Sequence, residues 1–192
     1  MTTEDPNFSA QQSLDLIQTM IRRAQGNVRA NSFYFLLWGW IVTAANLGMY
    51  SLMKFTDYEH PYIVWLLIIP AWIVTMIYGS RQDRQARART PIDRVNMWLW
   101  IAYGIAILPF VLFMEEIRYN INPVILIVTA VPTFLSGIII RFRPLLIGGI
   151  LFYLFGMLCF MVDPINQYLV GGLAIVCGYL IPGYLLKHQK EA

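Results

Sequence analysis

The chain reads as an all-α integral membrane protein: six transmembrane helices, paired as three helical hairpins, preceded by an amphipathic interfacial helix. Composition, the spacing of the apolar runs and the distribution of charge each lead there. Of the 192 residues, 58% are hydrophobic and 13% charged, whereas a soluble domain carries roughly 45–50% apolar and roughly 25% charged residues. A soluble core of this size could not hide so much apolar surface. The net charge of +3 is too small to mark a nucleic-acid binder, and no nucleic-acid partner is expected.

A helix that crosses a bilayer needs about 20 mostly apolar residues, because the hydrocarbon core is roughly 30 Å thick and each residue rises about 1.5 Å. Six stretches meet that length: Phe33–Met53, Tyr62–Gly79, Val95–Met114, Pro123–Ile140, Pro144–Val162 and Tyr168–Leu186. None contains Asp, Glu, Lys, Arg or His. A single central charge would cost about 2.5–3.5 kcal/mol on insertion. The first residues, "MTTEDPNF", are polar and acidic, so no cleavable signal peptide is expected.

Charge sets the expected orientation. The stretch "GSRQDRQARARTPIDR" carries Arg81, Arg84, Arg87, Arg89 and Arg94 between the second and third runs, and Arg141 and Arg143 lie between the fourth and fifth. With the amino-terminal residues and the tail, this side holds twelve of the fourteen basic residues. Loops rich in Lys and Arg stay cytoplasmic, which predicts both termini inside. The seven arginines are expected to fix topology and to meet anionic lipid headgroups, at about 1 kcal/mol each. Trp38, Trp40, Trp98 and Trp100 near one face, and Tyr58, Tyr62, Trp65, Tyr119 and Tyr168 near the other, fit two interfacial aromatic belts.

Three segments follow: residues 1–30 as a cytoplasmic amphipathic helix, 31–187 as the six-helix transmembrane domain and 188–192 as a short cytoplasmic tail. In "FSAQQSLDLIQTMIRRAQGN", Ser9 and Gln12 have capping-box spacing and Gly26 is placed to end the helix. Leu14, Ile17, Met20, Ile21 and Ala24 recur at helical intervals on one face. Leu14, Ile17 and Ile21, with Arg22 and Arg23, form a candidate docking surface for a protein partner, or else a brace on the membrane interface. The motif Trp-x-Trp-Ile opens spans one and three, and a proline followed by a glycine occurs in spans two, four and six. Both suggest related hairpins. Gly171, Ala174 and Gly178 should share one face of the sixth span, and Gly148 or Gly149 with Gly156 one face of the fifth. Small residues let helix backbones approach closely in lipid.

Reactive chemistry is hard to find. The string "FLSG" places Ser136 before Gly137, but Phe134 replaces the first glycine of the Gly-x-Ser-Gly pattern of rhomboid-type intramembrane proteases. His60 and His188 lie outside the spans, so the serine has no base to activate it. No His/Cys/Asp/Glu cluster has metal-ligand spacing, and no glycine-rich phosphate loop appears. No cofactor, metal site or catalytic residue is expected. Cys159 and Cys177 fall at different depths and should remain unpaired. A second reading, a pathway for a small neutral or amphipathic solute, would line its cavity with Asn46, Tyr103, Thr133 and Ser136. The absence of an intramembrane ionisable residue argues against an ion-coupled pump.

The strings "LLWGWIV" (36–42), "TFLSGIIIRFRPLLIGGI" (133–150) and "GYLIPGYLLK" (178–187), with "LDLIQTMIRRAQ" near the amino end, resemble a family of small, uncharacterised bacterial six-helix inner-membrane proteins. The resemblance covers residues 13 to 187 and consists of span ends and packing residues. It implies a bacterial source and an inner-membrane location, and no activity. The expected function is that of a non-enzymatic multi-pass inner-membrane protein, a subunit or regulator acting through partners. The alternative is a transporter or channel. The expected partners are the bilayer and a membrane or cytoplasmic protein, with a second copy of the chain as a further candidate.

Overall fold

The computed structural model describes the backbone of residues 10–85, 91–117 and 120–188, and the side chains of residues 32–81, 94–117 and 120–188. The first element, α1 (Ala10–Phe55), is a single helix of 46 residues. The expected stop at Gly26 does not occur. An interior glycine costs about 1 kcal/mol relative to alanine, yet it keeps its N–H and does not break the hydrogen-bond ladder. No proline follows it before Phe55. The amphipathic segment and the first apolar run are therefore one rod, and residues 10–31 add about 33 Å of helix at about 1.5 Å per residue. Ser9 and the side chains of Leu14, Ile17, Ile21, Arg22 and Arg23 lie outside the described residues.

A 3-10 segment (Pro61–Leu67) leads into α2 (Ile68–Gln85). Pro70 thereby falls in the first turn of α2, where a missing N–H leaves no helical bond unmade. Next come α3 (Pro91–Leu112), α4 (Ile121–Ile139) and α5 (Arg143–Cys159). The last rod consists of α6 (Asn166–Ile175), a π-helical turn (Val176–Leu180) and α7 (Ile181–His188). No strand occurs among the described residues. The π turn precedes Pro182, which cannot donate to the carbonyl of Gly178 and would press its ring against it in an α-helix. The Ile181 N–H reaches back to Val176 instead, closing the wider ring.

Five of the helices are long and apolar enough to cross a membrane, counting the last rod (Asn166–His188) as one. The fifth expected span is the exception: α5 has only 17 residues. It gives way to a turn at Phe160 and Met161, held by N–H bonds to Met157 and Leu158. Pro164 pushes Asp163 out of the helical region, so the helix closes before the apolar run ends.

Each of the three expected helix pairs is in contact, but the largest interfaces lie between other pairs. The most extensive contact is between α4 and α5, and α1 lies along the last rod more than along α2. Among the described residues, α3 runs beside α4 alone, α2 beside α1 and its own 3-10 lead, and the two do not meet. Backbone proximity at α4–α5 depends on glycine. A Cβ on Gly149 would stand 2.6 Å from the Phe134 nitrogen, and one on Gly156 2.6 Å from Ile127 Cγ1. Gly148 faces the other way, where a Cβ would lie 2.7 Å from the Gly178 carbonyl oxygen. Gly171 turns toward Asn46 on α1 while Gly178 turns toward Phe152 on α5. Gly171 and Gly178, expected to share one face with Ala174, thus meet two different neighbours. Ala174 is fully buried.

The α4–α5 connection is tight. Arg141 N–H bonds the Ile138 carbonyl at 3.1 Å and Phe142 N–H the Gly137 carbonyl at 2.9 Å, the two bonds of a Schellman cap. Arg141 holds the left-handed conformation with φ 56°, which a residue other than glycine adopts at a cost of about 1–2 kcal/mol. Phe142 folds inward and is buried.

The glycine contacts give a direct stability test. Gly149→Ala forces helix backbones apart and should lower the unfolding free energy in detergent by roughly 1–3 kcal/mol, the usual cost of overpacking. Gly104→Ala meets nothing within 4 Å and should raise stability by up to about 1 kcal/mol through helix propensity alone. Equal effects from the two substitutions would show that close approach at Gly149 is unimportant.

Candidate functional site

Four polar side chains buried in this apolar bundle lie along one face of α4, and others are buried on α1 and α6. Asn122, Thr129, Thr133 and Ser136 are all buried, and their spacing of seven, four and three residues keeps them on one face. The row is about 21 Å long at about 1.5 Å per residue. Thr133 and Ser136 have no exposed surface at all.

The direction of each hydrogen bond follows from proton counting. Thr129 Oγ1 lies 2.6 Å from the Ile125 carbonyl, and Thr133 Oγ1 2.8 Å from the Thr129 carbonyl. A hydroxyl has one proton, so each threonine donates to its own helix and can only accept from elsewhere. Tyr103 on α3 accordingly donates to Thr129 Oγ1 at 2.8 Å, and Tyr179 on the π turn to Thr133 Oγ1 at 3.2 Å. Ser136 works in the opposite sense, donating to Asn96 Oδ1 on α3 at 2.8 Å. Two of these three links join α3 to α4. At the far end of the bundle, Gln167 Nε2 donates to Asn120 Oδ1 at 3.2 Å.

Tyr179 sits where four helices converge. Its ring meets Phe152 edge-on at 4.8 Å, Phe35 at 5.6 Å and Trp100 at 6.4 Å between centroids. Lower on α1, Asn46 is 3% exposed. Its amide nitrogen donates to the Val42 carbonyl at 2.9 Å, which aims Oδ1 inward toward Gly171 and Asn122. That oxygen and Thr43 Oγ1, three residues before it, are buried without a hydrogen-bond partner.

Of the proposed cavity residues, Tyr103, Thr133 and Ser136 join the α4 row, while Asn46 stands at the α1–α6 contact. The row's other members, Asn96, Asn122 and Tyr179, escaped the sequence reading. The i, i+4, i+7 spacing of Thr129, Thr133 and Ser136 was visible there, but nothing local indicates which helices answer it. Ser136 faces an amide rather than a base, an arrangement that cannot generate a nucleophile. Among the described residues no cluster of His, Cys, Asp and Glu could hold a metal ion. Both cysteines are free, Cys159 being buried. Arg81, Arg94, Arg141 and Arg143 are exposed at one end of the bundle. Arg84, Arg87 and Arg89 lie outside the described side chains. No protein-family model, curated protein or solved structure matches the chain.

The Thr133–Tyr179 link should be measurable in a double-mutant cycle. Thr133→Val and Tyr179→Phe should each destabilise the bundle, and their coupling should be about 0.6 kcal/mol, with about 1.7 kcal/mol as the ceiling for such bonds between membrane helices. Additive effects in unfolding experiments would mean that the bond contributes nothing.

Proposed function

We propose that the chain is a multi-pass protein of the bacterial inner membrane, with both termini cytoplasmic. In this reading it acts without catalysis, as a subunit or regulator of a protein partner. The observation that carries the proposal is the marginal position of α2 and α3. Their apolar windows are 6% and 0% buried, and each lies beside a single neighbouring helix of the bundle. Helices in lipid associate through close packing and interhelical hydrogen bonds. A helix that leaves most of its apolar surface uncovered in its own chain is placed to pack against another.

The membrane location is supported by the surface. Large apolar side chains such as Met76, Ile105, Leu112 and Met161 stand more than half exposed, a surface that water would not tolerate over so many residues. At 17 residues α5 is at the short limit of spanning helices, about 17–25 residues. The orientation is supported by charge: the basic side chains Arg81, Arg94, Arg141, Arg143 and Lys187 stand at one end, and Asp57, Glu59, Glu115, Glu116 and Asp163 at the other, with Lys54. The solute-pathway reading has one observation in its favour, the unpartnered oxygens of Asn46 and Thr43.

Two experiments separate these readings. A photo-crosslinking residue placed at Met76 or Ile105, both about two-thirds exposed, should yield a discrete adduct with a second protein in intact membranes. Adducts with lipid alone at both positions would remove the partner reading. Asn46→Leu should leave stability unchanged or raise it, since a buried unpaired acceptor costs about 1–3 kcal/mol. A clear loss of stability, with Asn46→Gln restoring it, would reveal a hidden partner for Oδ1 and favour the solute pathway.

A further inference from the structure

The outer face of the α4–α5 pair carries a shallow groove of about 310 Å³ that is open along most of its boundary. Ala130 and Gly149 form its floor, and Val131, Leu135, Ile150 and Tyr153 its walls. The four wall residues are substantially exposed. Small-molecule sites have volumes of about 300–1,000 Å³, but this one presents only an apolar lining and therefore calls for a hydrocarbon occupant.

The end of the groove is marked by charge. Arg143 lies four residues before Ile147 and seven before Ile150, so it shares their face of α5 about 10 Å above the groove. On α4 the strip continues from Val131 through Leu135 to the exposed Ile138 and then to Arg141. Both arginines are exposed. Asp57, Glu59, Glu115, Glu116 and Asp163 sit in the connections at the opposite end, and no acidic residue accompanies Arg141 and Arg143 in the α4–α5 connection. Arg141 also occupies the left-handed position that glycine fills without strain. A residue kept in a strained conformation points to a use for its side chain, and the planar guanidinium suits a phosphate.

We propose that this face is a binding site for one anionic phospholipid, its acyl chain lying in the α4–α5 groove and its phosphate held by Arg141 and Arg143. The inference rests on the membrane reading above. The charge at the head and the hydrocarbon wall below it match one amphipathic molecule along one line.

The full chain should first remain with membranes after an alkaline carbonate wash; release into solution would overturn both the membrane reading and this site. Native mass spectrometry in mild detergent, with dioleoyl phosphatidylglycerol or dioleoyl phosphatidylcholine added, then tests the site alone. One phosphatidylglycerol should be retained with a preference of about thirtyfold, the scale that two basic contacts of about 1 kcal/mol each produce. Val131→Trp, which fills the groove, should abolish that preference, and Arg143→Gln should cut it to about fivefold, the share of one remaining arginine. Arg141→Gly is the sharpest variant: it relaxes the turn, so thermal stability without lipid should hold or rise while retention of phosphatidylglycerol falls. Arg81→Gln should leave retention unchanged. Equal retention of the two lipids overturns the proposal, as do unaltered retention in Arg141→Gly and Arg143→Gln, an equal loss in Arg81→Gln, or a protein segment crosslinked into the groove.

Discussion

The bond from Tyr179 to Thr133 lies at the point on which the arrangement of the bundle turns. Tyr179 brings together Phe35 of α1, Trp100 of α3, Thr133 of α4 and Phe152 of α5. A buried phenol without a partner would be costly in an apolar interior. The threonine that answers it is constrained in turn, because its own proton already belongs to the Thr129 carbonyl. Donor and acceptor roles are therefore settled at Thr129, Thr133 and Ser136. The hydroxyls of α4 act as acceptors for tyrosines and, at Ser136, as a donor to an amide.

Local backbone features place the tyrosine there. Pro182 cannot continue the ladder of the last rod, so the chain opens a π turn just before it. The opening carries Tyr179 toward α4 and sets Gly178 beneath the Phe152 ring and beside Gly148. Close approach at Gly148 is possible only because neither residue has a side chain. A proline, two glycines and a phenol are thus one device, and α3 gains its anchorage through Tyr103 and Asn96 on the same row.

Much of this was legible in the residues, and the rest was hidden for identifiable reasons. The apolar runs stand out because they are long and free of charge, and each falls on helical structure, with α1 starting well before its run and α5 ending before its own does. There, hydropathy counts Phe160–Val162 as span, while the Asp163–Pro164 step has already ended the helix. Gly26 looked like a stop because glycine is common at carboxyl caps, yet nothing after it prevents the helix from continuing. The hydroxyl spacing on α4 could be read directly. Its partners could not, since they come from residues 26 to 46 positions away, and the pairing of α1 with the last rod joins elements far apart in the chain.

The unbroken length of α1 has a mechanical meaning. A helix without a hinge is a lever: its first 22 residues cannot tilt without turning the part that packs inside the bundle. A tilt of about 5° carries the tip of an arm about 33 Å long through about 3 Å. The same rotation is felt where Gly39 presses on Leu180 and where Asn46 meets Gly171. The arm and the contact of α1 with the last rod therefore belong to one unbroken element, and the angle of one is the angle of the other.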